Sequence, residues 1–223
     1  SRAIQSAMRV NRPWDLELAY TRAMMGFLMF NPMPQDVLMI GLGGGSLAKF
    51  IRKQRPQTHV TAVEIDPRVV AAARTHFELP PDDATLSVVE ADGALYVRQH
   101  PCSADVILLD GFDAGNQVEA LATQTFYAAC RRVLKPGGIL AAADVREGSN
   151  IARWLNEFVA GHNPEGHDGR FFSTGQMTKL CVTAGFAEVS EATVCSSWAF
   201  NSVERMVWFC RTLFGIAADD DTI

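Results

Sequence analysis

Four short clusters of glycines and acids carry the chemistry that this chain can do. The first, Gly41-Leu42-Gly43-Gly44-Gly45-Ser46, follows an apolar, strand-like run and opens a helix-like one. Glycines at such a point let the backbone turn sharply and let a ligand approach without meeting a Cβ, while the free N–H groups of the helix start attract polar or anionic atoms. The plain alternative is a purely structural turn. The second cluster, Glu64-Ile65-Asp66, closes the next apolar run. A carboxylate there can accept hydrogen bonds from both hydroxyls of a ribose; otherwise Glu64 is merely solvated and Asp66 caps the helix that opens at Pro67.

The third cluster is Asp92-Gly93. A short acid followed by glycine can accept from an exocyclic amine while a neighbouring N–H donates to a ring nitrogen, which is one way to read adenine. Asp92 can equally cap the following helix, and the two roles are compatible. The fourth is Asp110-Gly111-Phe112-Asp113. Acids there face the reacting end of a nucleoside bound across the preceding loops, where a carboxylate both attracts a protonated amine and can take its proton. A loop of helix-capping acids is the alternative.

These clusters recur because strand-like and helix-like pieces alternate. The patterning predicts strands at 37–41, 59–65, 86–91, 105–110 and 139–144, mostly near-continuous apolar runs of the kind buried on both faces. Helices are predicted at 46–54, 67–77, 94–100 and 123–134, with Lys135-Pro136-Gly137-Gly138 as a stop and tight turn. Such alternation builds a parallel sheet with covering helices, and ligands lie beyond the carboxyl ends of its strands, beside the first. All four clusters fall there.

Before this core, helical spacing from Trp14 through Leu28 predicts a packing helix ended by Asn31-Pro32. After it come a helix at 150–160, a polar loop at 161–170 and a helix at 174–184. A long strand at 187–200 and a helix at 203–214 follow. In the polar loop, His162, His167 and Arg170 are candidate lid contacts or ordinary solvated residues. The expected organisation is one domain: a helical segment at 1–35, a nucleoside-binding core at 36–144 and a substrate-side part at 145–223.

Composition narrows the classes. With 223 residues, 48% apolar and 20% charged, the chain can bury one α/β core. A net charge of -5 without a basic stripe argues against a nucleic-acid partner. Five scattered cysteines, without a CxxC pair or metal-type spacing, read as reduced thiols with no metal site. No signal-peptide pattern or membrane-length apolar run is present, so a cytoplasmic location and no membrane partner are expected. The missing third glycine disfavours an NAD site, and the absence of Gly-Lys-Ser/Thr excludes a P-loop.

From about Ala3 to Leu140 the chain resembles the spermidine synthase-like (polyamine aminopropyltransferase) family. The residues that carry the resemblance are LELAY from Leu16 to Tyr20, VLMIGLGGGSLAKF from Val37 to Phe50 and VEID from Val63 to Asp66. EADG from Glu90 to Gly93 and DVILLDGFD from Asp105 to Asp113 complete them. The resemblance implies the Rossmann-like class I AdoMet methyltransferase fold, a mostly parallel twisted sheet with helices on both faces. It also implies S-adenosylmethionine or its decarboxylated form as ligand. By resemblance Gly41, Gly43 and Gly45 surround the methionine part, Glu64 the ribose, Asp92 the adenine amine and Asp110 the amine nucleophile. Ser46, Ile65 and Gly93 complete the expected binding set, and Asp113 is a further catalytic candidate.

The chain departs from that pattern. Ser46 stands where aminopropyltransferases carry an acid suited to the bare amine of the decarboxylated ligand. Tyr20-Thr21-Arg22 replaces a Tyr-His-Glu cluster, and the amino-terminal β-hairpin domain is missing from this chain. The part after Val145, with FFSTGQMTKLCVTAGF from Phe171 to Phe186, WAF from Trp198 to Phe200 and MVWFCRTLFG from Met206 to Gly215, resembles class I AdoMet-dependent methyltransferases. Their final helix and antiparallel strand are not found after Gly215, so either the sheet is short by one strand or the sequence is truncated, and an unpaired edge would favour a homodimer. The expected function is therefore a methyltransferase acting on a small molecule, with Asp110 orienting the substrate in line and water excluded. An aminopropyltransferase using decarboxylated AdoMet, with Asp110 as base and Asp113 as anchor of the substrate amine, is the alternative. A catalytically inactive nucleoside-binding subunit is the third reading.

Overall fold

Runs of Val, Ile, Leu and Met in this chain pair into five parallel strands in the order β3-β2-β1-β4-β5. The computed structural model describes residues 6–110, 119–164, 171–194 and 201–219. The strands are β1 (Asp36–Ile40), β2 (His59–Glu64), β3 (Leu86–Glu90), β4 (Ala104–Leu109) and β5 (Leu134–Ala142). The core helices are α2 (Ser46–Gln54), α3 (Pro67–His76), α4 (Gly93–Gln99) and α5 (Gln124–Val133), after a short α1 (Ala19–Met24). Beyond β5 come α6 (Asn150–Arg153), a π-helical segment (Trp154–Val159), α7 (Ala160–His162), α8 (Gln176–Thr183) and α9 (Val203–Phe214).

Because successive strand side chains point to opposite faces, the sheet feeds two cores. Val37 and Met39 of β1 and Val106 and Leu108 of β4 meet Leu47 and Ile51 of α2, together with Met24 and Phe27. Leu38, Ile40, Ile107 and Leu109 meet Val97 of α4 and Tyr127, Cys130 and Val133 of α5. Each fully buried aliphatic side chain contributes roughly 1.5–3 kcal/mol, so both faces hold the sheet in place. A third cluster joins Leu155, Val159, Cys210 and Ile216 in the carboxyl part.

The strand order reverses at β1. The chain steps outward to β2 and β3, then crosses back to place β4 on the other side of β1. Ile40 is level with both Val63 and Leu109, so Gly41, Glu64 and Asp110 leave their strands at one height. Gly41 N donates to Val63 O at 2.8 Å, and Asp110 N to Ile40 O at 2.9 Å.

Four expectations are corrected. The helix predicted from Trp14 forms only over Ala19–Met24, continued by a 3-10 segment at Met25–Met29. The Arg22 guanidinium takes the carbonyls of Leu16 and Glu17, at 2.7 and 2.8 Å, and so occupies acceptors an earlier helix start would need. Strand β5 starts at Leu134 rather than Ile139: the Lys135-Pro136-Gly137-Gly138 turn lies inside it as an irregularity between the Ala104–Leu134 and Val106–Ile139 pairs. The helix predicted at 150–160 widens to π geometry over Trp154–Val159. No strand forms over the described residues 187–194. There, Glu191 turns its carboxylate to Gly175 N at 3.0 Å and Thr178 Oγ1 at 2.7 Å, which uses the segment as a cap for α8.

Cys102, Cys130, Cys181 and Cys210 are free thiols, all but Cys102 buried. Among the described residues no helix is long and apolar enough to cross a membrane.

Candidate functional site

The loop between β1 and α2 requires its glycines. Gly41, Gly43 and Gly45 have φ of 94°, 52° and 68°, a region that side-chain-bearing residues rarely adopt. A Cβ on Gly45 would lie 2.6 Å from Leu79 Cδ1, and one on Gly44 would lie 2.7 Å from Phe77 Cδ1. The loop is thus pressed from behind by the turn after α3. Its Gly44 N–H donates to Ser6 Oγ at 2.6 Å.

Glu64 is not the solvated acid of the plain alternative. Its residue surface is only 9% exposed, Leu42 N donates to Oε2 at 3.0 Å, and Asp66 N donates to Oε1 at 3.0 Å. Two backbone donors fix the carboxylate and leave each oxygen a lone pair for a further donor. Asp66 does cap α3, accepting from Arg68 N at 2.9 Å, so that half of the alternative holds. Asp92 caps α4 through Oδ1, from Ala94 N at 2.7 Å and Leu95 N at 3.2 Å. Gly93 has a packing role: its Cβ would strike Ile40 Cγ2 at 2.6 Å. Ile65 and Leu95, 66% and 50% exposed, set two apolar side chains beside these acids.

Asp110 ends β4 across from the glycine loop. Burial pushes its carboxyl up to about 7; the Tyr20 hydrogen bond opposes that rise and the Glu64 charge adds to it. The Tyr20 hydroxyl donates to Asp110 Oδ2 at 3.4 Å, and burial and the Asp110 charge hold its own proton more tightly than usual. Tyr20, Asp110, Ser46, Leu42 and Glu17 line one narrow cleft with about 10 Å³ of free volume. Among the described residues its lining acids are Asp110 and Glu17. Glu17 is held by Arg9, Nε to Oε1 2.8 Å.

The fold therefore brings Gly41, Gly43, Gly45, Ser46, Glu64, Ile65, Asp92, Gly93 and Asp110 to one rim of the sheet. Asp113, His167 and Arg170 lie outside the described residues. His162 is a packing residue, its Nδ1 2.7 Å from Phe158 O and its ring 4.4 Å from that of Phe158. Tyr20 keeps the first position of the Tyr-His-Glu cluster that the resemblance includes, while Glu17 joins the cleft unexpectedly. The signal for Glu17 is the Leu16 to Tyr20 motif, which carries both residues into the cleft.

Comparison with known proteins follows the same lines. A family model described as the spermine/spermidine synthase domain matches residues 17–151. A polyamine aminopropyltransferase from Chromobacterium violaceum is 47% identical over 162 residues, which cover 71% of this chain and 62% of the relative. The chain thus spans about three fifths of the length of that relative. Among solved structures, a probable spermidine synthase from Corynebacterium glutamicum aligns with a TM-score of 0.53 and 20% identity, over 84% of this chain and 85% of that one. Human methyltransferase-like protein 13 in complex with SAH aligns with a TM-score of 0.50 and 22% identity, over 78% of this chain and 96% of that one. Both structural likenesses concern the fold.

These findings overturn the expectation of a small-molecule methyltransferase. The matched family and the near relative are aminopropyltransferases, whereas the methyltransferase likeness is one of fold alone. The physical reason lies in the cleft. Ser46 lines the cleft beside Asp110, whose buried carboxyl is there to meet a cationic amine whatever stands at position 46.

Proposed function

This chain belongs to the spermine/spermidine synthase family, and on that premise we propose that it transfers the aminopropyl group of decarboxylated AdoMet to a small amine. The observation that carries this reading is the buried Asp110 carboxyl, held by Tyr20 and set beside Ser46 of the glycine loop. Among the described residues Asp110 and Glu17 line the cleft; Glu17 is paired with Arg9 at 2.8 Å, so Asp110 is the acid left to meet a cationic ligand. A ligand that is positive at both its sulfonium and its bare amine suits such a cleft, while the carboxylate of ordinary AdoMet would be repelled there.

The adenosine half follows from the fixed acids. Glu64 accepts from the ribose hydroxyls with the lone pairs that Leu42 and Asp66 leave open. Asp92 spends Oδ1 on the cap of α4, which leaves Oδ2 for the adenine amine. Ile65 and Leu95 supply apolar flanks for the ring. Gly41, Gly43 and Gly45 let the ligand approach the backbone, with Ser46 beside it at the start of α2.

In the transfer step the acceptor nitrogen attacks the propyl carbon bonded to sulfur. The carbon–sulfur bond breaks, its electron pair returns to sulfur, and neutral 5′-methylthioadenosine leaves. The nitrogen's surplus proton goes to Asp110, whose carboxyl, pushed up to about 7, is a stronger base than a surface carboxylate. Tyr20 orients that carboxylate through its hydroxyl. Asp113 anchors the substrate amine.

Calorimetric titration of the purified chain with decarboxylated AdoMet, AdoMet and S-adenosylhomocysteine tests the reading. Tighter binding of the decarboxylated ligand is expected. Preference for the two carboxylated ligands would refute it.

A further inference from the structure

Lys49 is a buried cation that the transfer reaction does not use. It lies one turn into α2, its backbone N–H bonded to Gly45 O at 2.9 Å, and its residue surface is 7% exposed. Its ammonium donates to Phe77 O, the carbonyl of the residue that ends α3, and approaches Met8 Sδ at 3.2 Å. A cation at a helix carboxyl end satisfies an otherwise unpaired carbonyl and meets the favourable end of the helix dipole. Burial lowers the pKa of this ammonium, and the nearby Glu78 charge opposes that.

Both tethered segments bear on the ligand loop. The turn after α3 passes through Glu78 at φ 54°, a strained value for a side-chain-bearing residue. It carries Phe77 and Leu79 onto Gly44 and Gly45, where a Cβ would come within 2.7 and 2.6 Å of their side chains. The strip that contains Met8 also carries Ser6, whose Oγ accepts from Gly44 N at 2.6 Å. One ammonium therefore holds together the three pieces that enclose the loop from behind: α2, the α3 turn and the amino-terminal strip.

We propose that Lys49 is a positioning residue that sets the shape of the glycine loop, and hence its affinity for a nucleoside, by tying the α3 turn and the amino-terminal strip to α2. This inference rests on the nucleoside-binding part of the proposed function. A lysine that merely caps α3 would change stability but not the loop.

The test compares wild type, Lys49→Met and Lys49→Arg for calorimetric binding of 5′-methylthioadenosine and for thermal unfolding. Methionine keeps the apolar stem and removes the donors; arginine keeps a cation. Lys49→Met is expected to bind about 10- to 100-fold more weakly, of the order of one lost charge-assisted hydrogen bond. Lys49→Arg is expected to recover binding to within about threefold of wild type, as one retained charge-assisted bond allows. If Lys49→Met fails to fold, Lys49→Gln, which keeps one amide donor, is read in its place and is expected to fall between wild type and a full loss.

Folded Lys49→Met or Lys49→Gln that binds as wild type does would overturn the inference while leaving the nucleoside site intact. An arginine variant of restored stability but unrestored binding would also overturn it. Wild type that binds no nucleoside at all would refute the proposed function, and this inference with it.

Discussion

The backbone N–H of Leu42 donates to Glu64 Oε2 at 3.0 Å, so the glycine loop after β1 and the acid that ends β2 form one unit. Glu64 thereby acts on the ligand twice, through its own oxygens and through the loop it holds. Replacing it with Ala removes both effects and leaves the Leu42 N–H without its acceptor. Binding of 5′-methylthioadenosine to Glu64→Ala is expected to weaken by about 1–3 kcal/mol. Calorimetry on the folded variant checks this, and unchanged affinity would remove Glu64 from the site.

Asp110→Asn keeps the shape of the carboxyl and removes its basicity. Turnover is expected to fall by about 10²–10⁴-fold, the usual contribution of a general base. Nucleoside affinity should change little, because Asp110 faces the reacting end. Equal losses in turnover and in nucleoside binding would mean that Asp110 holds the ligand instead.

Asp110 and Asp144 both have carboxyls pushed up to about 7, chiefly by burial. The folded protein therefore keeps these two protons to higher pH than the unfolded chain, whose carboxylates titrate near ~4. The stability linked to them is fully present below that unfolded value and is lost as pH rises through about 7. Denaturant midpoints should fall between about pH 5 and pH 8, and Asp144→Asn should flatten the slope. The depressed carboxyls of Asp83, Asp105 and Glu191 act in the opposite sense, below the ordinary carboxylate value. A midpoint that climbs from pH 5 to pH 8 would contradict the burial of the two acids.

Tyr127 is fully buried against Cys130 and Val133, yet its hydroxyl finds no hydrogen-bond partner among the described residues. An unmade buried hydrogen bond costs about 1–3 kcal/mol. Tyr127→Phe is accordingly expected to leave the melting temperature unchanged or to raise it. A marked fall would mean that the hydroxyl has a partner in solution.

Strand ends and their acids were legible in the sequence because both are local signals. Continuous apolar runs mark strands covered on two faces, and Gly43 and Gly45 adopt the positive φ that a sharp strand-to-helix turn needs. Helices α2 and α9 form over the predicted spans, with Ser202 capping α9. What failed depends on distant partners. Arg22 takes the carbonyls of Leu16 and Glu17 and delays α1, and Glu191 reaches back to α8 and draws its segment out of strand geometry. The Tyr20–Asp110 pair was hidden for the same reason: the two lie 90 residues apart in sequence and meet only through packing. Judged by position alone, Ser46 looked like the loss of an essential charge.

The most direct measurement is product formation by the purified chain given decarboxylated AdoMet and a small aliphatic diamine, followed by chromatography for 5′-methylthioadenosine and the extended amine. The two products should appear in equal amounts, and Asp110→Asn should lose them. Absence of both from folded protein that binds the nucleoside would contradict aminopropyl transfer.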